Sequence, residues 1–189
     1  MSDAALRARS PLEGLALPAG PRFTLSEAPP AARFILRGGE AARVACGIVF
    51  GAEPPSSLGP AGEGAERAAL WLGPDEWLLI ADSGDAAAIV EVLESVLEGT
   101  AHSLVDVSHR QIGLIASGPA AARTLNAGCP LDLCLNAFPV GMATRTLFDK
   151  AEIVLWRRAA EAFHVEVWRS FAPYLAASLA EAARGATAW

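Results

Sequence analysis

Asp106, Ser108 and His109, the three residue types of a hydrolytic triad, stand together in the string Asp106-Val107-Ser108-His109-Arg110. In a working triad the imidazole takes the serine proton while the carboxylate holds its other ring nitrogen. The residues around this string, positions 103–116, form the longest β-like run of the sequence. Val105, Val107 and Ile115 would share one face and Leu104, Ile112 and Leu114 the other, as in a central strand covered from both sides. Along such a strand Asp106 and Ser108 point one way and His109 the other, so His109 cannot take a proton from Ser108. No Gly-x-Ser-x-Gly elbow occurs either. Asp106, Ser108 and His109 are therefore expected to act in structure, at a sheet edge or an interface, and no catalytic residue is assigned.

Other reactive residues are scattered. His102 and His164 are far apart and lack carboxylates at metal spacing, so no metal site is expected. The 3 cysteines include no close pair of the zinc or redox kind, and Cys46, Cys129 and Cys134 read as buried free thiols. Gly38-Gly39 precedes a helix, but neither the dinucleotide Gly-x-Gly-x-x-Gly nor a phosphate loop with its Lys is present. Arg110, Arg145 and Arg169 are the candidates for holding a folate or similar anion. Arg169-Ser170 stands just before the last helix, where an anion or a cap with a salt bridge fits. Trp71, Trp77, Trp156 and Trp168 fall in strands, as core or interface residues.

The elements that must position these residues follow from periodicity. Residues 1–32 are rich in Ala, Pro and Gly without a sustained period and read as an extended arm, partly disordered or laid on a neighbouring surface. A strand over 33–36 leads into a helix over 39–47 with Val44 and Ile48 facing inward. Residues 51–67 carry turn chemistry and are expected at the surface as a mobile loop. Strands over 69–72 and 77–80 form a hairpin through Gly73-Pro74-Asp75-Glu76. A helix capped by Ser83 or Asp85 follows, with Ile89, Leu93, Val96 and Leu97 as its apolar stripe and Gly99 as its stop. Beyond the 103–116 run, Ser117-Gly118-Pro119 opens another helix and residues 131–141 form a linker. Strands over 143–148, 153–157 and 163–168 come next. The last alternates Phe163, Val165 and Val167 against His164, Glu166 and Trp168. A final helix is capped by Ser170 and exits at Gly185.

Each half thus runs strand, helix, two strands, helix, and Gly38-Gly39-Glu40-Ala41-Ala42-Arg43 parallels Gly118-Pro119-Ala120-Ala121-Ala122-Arg123. The predicted fold is α+β: two fused split βαβ, ferredoxin-like units with antiparallel sheets, covering 33–102 and 103–189 within one compact domain. Each unit alone would leave a sheet face bare. Hydrophobic residues at 52% support a sizeable core and leave apolar surface for a partner interface, or for self-association of the isolated chain. A net charge of −6 without a basic run argues against nucleic acid. No stretch is long and apolar enough to span a bilayer, and no basic-then-apolar leader opens the sequence, so a cytoplasmic protein is expected.

Five strings occur in order: Leu72-Gly73-Pro74-Asp75-Glu76-Trp77-Leu78-Leu79, Asp106-Val107-Ser108-His109-Arg110, Gly128-Cys129-Pro130-Leu131-Asp132-Leu133, Phe138-Pro139-Val140-Gly141 and Val167-Trp168-Arg169-Ser170-Phe171-Ala172. With the early Arg9-Ser10-Pro11-Leu12, they resemble the gamma subunit of heterotetrameric sarcosine oxidase over nearly the whole chain. More distantly the chain is similar to the folate-binding domain of the glycine-cleavage aminomethyltransferase, where Asp-Val-Ser-His also sits on a strand. The resemblance implies a complex that oxidatively demethylates sarcosine to glycine and hydrogen peroxide, with the one-carbon unit passed to tetrahydrofolate. It implies alpha, beta and delta subunits as partners, chiefly the large alpha subunit. FAD, FMN, NAD, zinc and tetrahydrofolate would belong to those partners and none to this chain. The aminomethyltransferase pattern puts Gly-Gly and an acidic pair after its Asp-Val-Ser-His. Here the region reads Leu147-Phe148-Asp149-Lys150-Ala151-Glu152-Ile153, so folate chemistry is not expected of it. The Lys-Gly-Cys-type motif of the iron–sulfur-assembly folate proteins is absent as well. The favoured reading is a non-catalytic structural subunit, with Trp168, Arg169 and Phe171 as interface candidates. Its rivals are a stand-alone folate- or anion-binding module and a free-standing transferase.

Overall fold

The computed structural model describes residues 9–64 and 66–187. Its strands are β1 (Thr24–Glu27), β2 (Ala31–Gly38), β3 (Gly59–Pro60), β4 (Gly62–Glu63), β5 (Ala68–Gly73), β6 (Glu76–Asp82), β7 (His102–Asp106), β8 (Gln111–Ser117), β9 (Met142–Phe148), β10 (Ala151–Ala159) and β11 (Ala162–Trp168). Its helices are α1 (Glu40–Phe50), α2 (Ala86–Leu97), α3 (Ala121–Asn126) and α4 (Ala172–Thr187). The strands form two antiparallel sheets, ordered β4-β5-β6-β2-β7 and β1-β8-β11-β10-β9-β3.

Within the first sheet β7-β2-β6-β5 is the order of a split βαβ unit, with α1 and α2 as its helices. The second sheet repeats it as β1-β8-β11-β10 with α3 and α4. Each sheet packs one face on its own helices. Phe34, Leu36, Trp77 and Leu79 meet α1 and α2, while Leu114, Phe163, Val165 and Val167 meet α3 and α4. The other faces meet each other through a layer that includes Ile35, Leu70, Leu78, Val154 and Trp156. Four layers result, and the two units close one another's cores.

Several expectations change. The run over 103–116 is not one strand. β7 ends at Asp106, residues 107–110 turn, and β8 continues in the other sheet. The Ser108 N–H donates to the Asp106 carboxylate at 2.8 Å, the local turn that short polar side chains build. Val105, expected inside, is half exposed at the sheet edge. The break also puts β7 in the first sheet, so that unit extends to Asp106.

The arm is no outer appendage over its described part. Residues 24–27 pair with β8 and fill the outer place of the second sheet, where among the described residues no strand follows α4. Leu12, Phe23 and Leu25 are buried in that unit's core. The Gly118 backbone, at φ +111°, lies so close to Arg22 that an added Cβ would sit 2.6 Å from its carbonyl oxygen.

On α1 the buried side is Ala42, Arg43, Cys46 and Phe50, whereas Val44 and Ile48 face out, Ile48 at 78% exposure. Arg43 can be buried because Glu40, Glu53 and the Pro54 carbonyl take up its guanidinium. Residues 51–67 include the short strands β3 and β4, and the Pro55 carbonyl accepts the Trp77 indole N–H at 2.7 Å. That segment is therefore fastened to the sheets. α4 runs through Gly185, and Ala172 opens it directly after the Trp168–Phe171 turn.

Candidate functional site

The turn at 107–110 is clamped to β2. Ser108 Oγ accepts the Arg33 N–H at 2.9 Å, and the Val107 N–H donates to the Arg33 carbonyl at 2.8 Å. The serine hydroxyl is thus spent on backbone of the opposite strand. Hydrogen bonding from Ser108, and then the His109 charge, holds the Asp106 carboxyl below the usual carboxylate range. Asp106 and His109 are exposed, and neither activates Ser108 as a nucleophile. The three residues stay together in space, and what they build is a turn.

Beneath that turn lies a constellation that sequence reasoning missed. Glu166, with 0% exposure, accepts from Arg33 Nε at 2.6 Å and lies 2.7 Å from His164 Nε2. Arg33 is itself 3% exposed and also donates from Nη1 to the Ala31 carbonyl. Arg33 comes from the first sheet and the other two from the second, so the group ties the units across their interface. Burial alone would raise the Glu166 carboxyl. The His164 bond and charge, with those of Arg33, outweigh it and hold the carboxyl below its ordinary value. Gly113 makes room for the imidazole, since a Cβ there would lie 2.8 Å from the ring. A signal was available: Arg33 and Glu166 are charges inside strands flanked by apolar residues, and buried charges need partners.

A cleft of about 420 Å³ opens over this group, lined in part by Arg9, Arg33, Asp106, Ser108, Gln111 and Arg169. A second, of about 210 Å³, has Arg110, Arg145, Glu76, Glu152, Trp168 and Gln111 in its wall. The three arginines expected to form one anion pocket are therefore divided. Arg110 and Arg145 share the smaller cavity, and Arg169 lines the larger. Arg145 is already paired with Glu76 at 2.6 Å, and Glu152 lies 4.0 Å away. Arg110 stacks on Trp168 at 5.1 Å, and Arg169 donates to the Arg9 carbonyl at 2.6 Å. Each of the three guanidinium groups thus already has a partner within the chain.

Of the interface candidates, Trp168 lines the smaller cavity, Arg169 the larger, and Phe171 is on the surface. Trp168 is 42% exposed, Phe171 is similar, and Phe171 meets Tyr174 edge-on with ring centroids 6.4 Å apart. Trp77 and Trp156 are core, by contrast. Cys46 and Cys129 are buried as expected, but Cys134 is exposed on the linker. Burial pushes the Cys46 thiol up to about 12. His102 sits between the Thr100 carbonyl and Glu94. Among the described residues no cluster of His, Cys, Asp and Glu could hold a metal ion, and no helix is long and apolar enough to cross a membrane.

The sarcosine oxidase gamma subunit family model matches residues 38–185. The chain belongs to that family. A gamma subunit of Arthrobacter sp. is 36% identical over 128 residues, 67% of this chain and 62% of the relative. One from Corynebacterium sp. strain U-96 is 32% identical over 134 residues, 70% of this chain and 64% of the relative. The matches thus span less than two thirds of those gamma subunits' own lengths. In three dimensions the chain is similar to one in the heterotetrameric sarcosine oxidase of Corynebacterium sp. U-96 in complex with pyrrole 2-carboxylate. That match has a TM-score of 0.87 and 29% identity, over 96% of this chain and 97% of the other. The glycine cleavage system aminomethyltransferase T of Bartonella henselae shares the fold, with a TM-score of 0.63 and 16% identity over 84% of this chain and 45% of that one. The sarcosine oxidase gamma family is therefore built on the fold that its aminomethyltransferase resemblance implied.

Proposed function

We propose that this chain is the non-catalytic, structural subunit of a heterotetrameric sarcosine oxidase. The complex oxidatively demethylates sarcosine to glycine and hydrogen peroxide and passes the one-carbon unit to tetrahydrofolate. The observation that carries the non-catalytic reading is the use of Ser108. Its hydroxyl and the turn around it fasten the connection between the two sheets to β2, so the most reactive string of the sequence is consumed in holding the fold. Family membership supports the subunit reading, and near-complete overlap with a chain of the heterotetrameric enzyme supports its architecture. FAD, FMN, NAD, zinc and tetrahydrofolate then belong to the alpha, beta and delta subunits.

The corner formed by Trp168, Arg169 and Phe171 is the surface by which the chain meets its partners, chiefly alpha. Half-exposed aromatics next to Arg are the residues that anchor interfaces. Co-expression with the partner subunits tests this. Trp168→Ala is expected to weaken assembly by tenfold or more, in line with the loss of about 2 kcal/mol at an interface anchor, while the lone chain melts as before. Assembly unchanged at matched folded concentration would overturn the interface, and turnover of sarcosine by the purified chain alone would overturn the structural role.

A further inference from the structure

The larger cleft contains polar groups that the fold itself leaves unanswered. Gln111 is 6% exposed, and its Oε1 is buried without a hydrogen-bond partner among the described residues. An acceptor in that condition costs about 1–3 kcal/mol unless something donates to it. Arg33 is still more buried. Its Nε and Nη1 are taken by Glu166 and Ala31, but its Nη2 has no partner among the described residues. Arg33, with Nη2 uncommitted, and Gln111, which also borders the smaller cavity, thus line one cavity of about 420 Å³. That volume falls in the range of about 300–1,000 Å³ usual for small-molecule sites.

The charges decide the class of occupant. Arg9, Arg33 and Arg169 are set against Glu27 and Asp106 in the wall and Glu166 behind Arg33. This balance disfavours a phosphate or a polycarboxylate, which would need surplus positive charge, and equally a simple cation. It matches a ligand with one charge of each sign. Ala28, Pro29, Pro30 and Ile112 supply a small apolar wall for the carbon frame.

We propose that this cleft binds a small zwitterion of the amino- or imino-acid class. Its carboxylate meets Arg33 Nη2 beside Arg169, and its ammonium group faces Gln111 Oε1 and the Asp106 carboxylate. The site shares Arg169 with the aromatic corner but does not depend on the subunit reading.

Calorimetric or NMR titration of the full chain with glycine, sarcosine and proline tests it, with acetate, methylammonium and inorganic phosphate as partial or mismatched probes. At least one zwitterion is expected to bind saturably, at least tenfold more tightly than any of those three. Gln111→Leu removes the open acceptor, so it should fold as well as the parent and bind at least tenfold more weakly. If Gln111→Leu does not fold, Asp106→Asn replaces it and is likewise expected to weaken binding. No saturable binding of any of the three zwitterions, equal affinity for acetate or phosphate, or unchanged affinity in the folded variant would overturn the proposal.

Discussion

Replacing Glu166 by Gln removes one charge from the interface between the two sheets and alters little else in volume. The carboxylate is fully buried, accepts from Arg33 Nε at 2.6 Å and lies 2.7 Å from His164 Nε2. A neutral amide offers a single oxygen where two were used, and it presents an N–H₂ group to a donor. More costly still, the Arg33 guanidinium at 3% exposure loses its counter-charge. Breaking a buried pair by removing one partner costs about 3–5 kcal/mol. Against a total stability of about 5–15 kcal/mol, that is a large fraction. Urea unfolding of the full chain at pH 7 measures it. Replacing both partners, Arg33→Met with Glu166→Leu, is expected to cost less than Glu166→Gln alone, because no unpaired charge stays buried. The folded Glu166 carboxyl titrates below its ordinary value of 4.5, so its stabilisation is fully present above about that pH and is lost as pH falls through the folded value. The gap between parent and Glu166→Gln should therefore narrow in acid. A loss below about 1 kcal/mol at pH 7, or a gap that widens toward pH 3, would refute the reasoning.

Further outcomes follow from the same structure. Phe23→Ala should cost about 3–5 kcal/mol in urea unfolding, since Phe23 fills the core of the second unit; a cost near zero would return the arm to the surface. Gly113→Ala should lower the melting temperature by several degrees, because the new methyl would press on the His164 ring; an unchanged melting curve would show that the ring can move aside. With a thiol reagent at pH 8 the folded chain should show one fast-reacting cysteine, Cys134, while buried Cys46 and Cys129 react only after unfolding. His109→Asn in the assembled complex should leave turnover within a few-fold, and a loss of about 10²–10⁴-fold would mark a general acid or base instead.

Periodicity carried most of the local structure. The alternation from Phe163 to Trp168 separated the helix-facing Phe163, Val165 and Val167 from His164, Glu166 and Trp168, and the Ile89, Leu93, Val96 and Leu97 stripe gave the buried side of α2 except at Val96, which is exposed. Those signals are legible because successive strand residues point to opposite faces and helix residues three or four apart share one side. Two matched patterns of strand and helix, each too short of apolar cover to stand alone, likewise implied paired units. Other features depend on residues distant in the chain. The β-like run from Leu104 to Ile115 reads as one strand, and only pairing with β2 on one side and β11 on the other shows that it changes sheets. β1 has four residues and no pattern of its own, and it becomes a strand because β8 offers an open edge. Val44 and Ile48 read as the inner face of α1 until Glu40 and Glu53 make it possible to bury Arg43. Arg33 and Glu166 are 133 positions apart, so each neighbourhood shows a charge in need of a partner but not which residue supplies it. Local spacing records that a face is covered. What covers it, and which buried charge answers which, is decided when the two sheets come together.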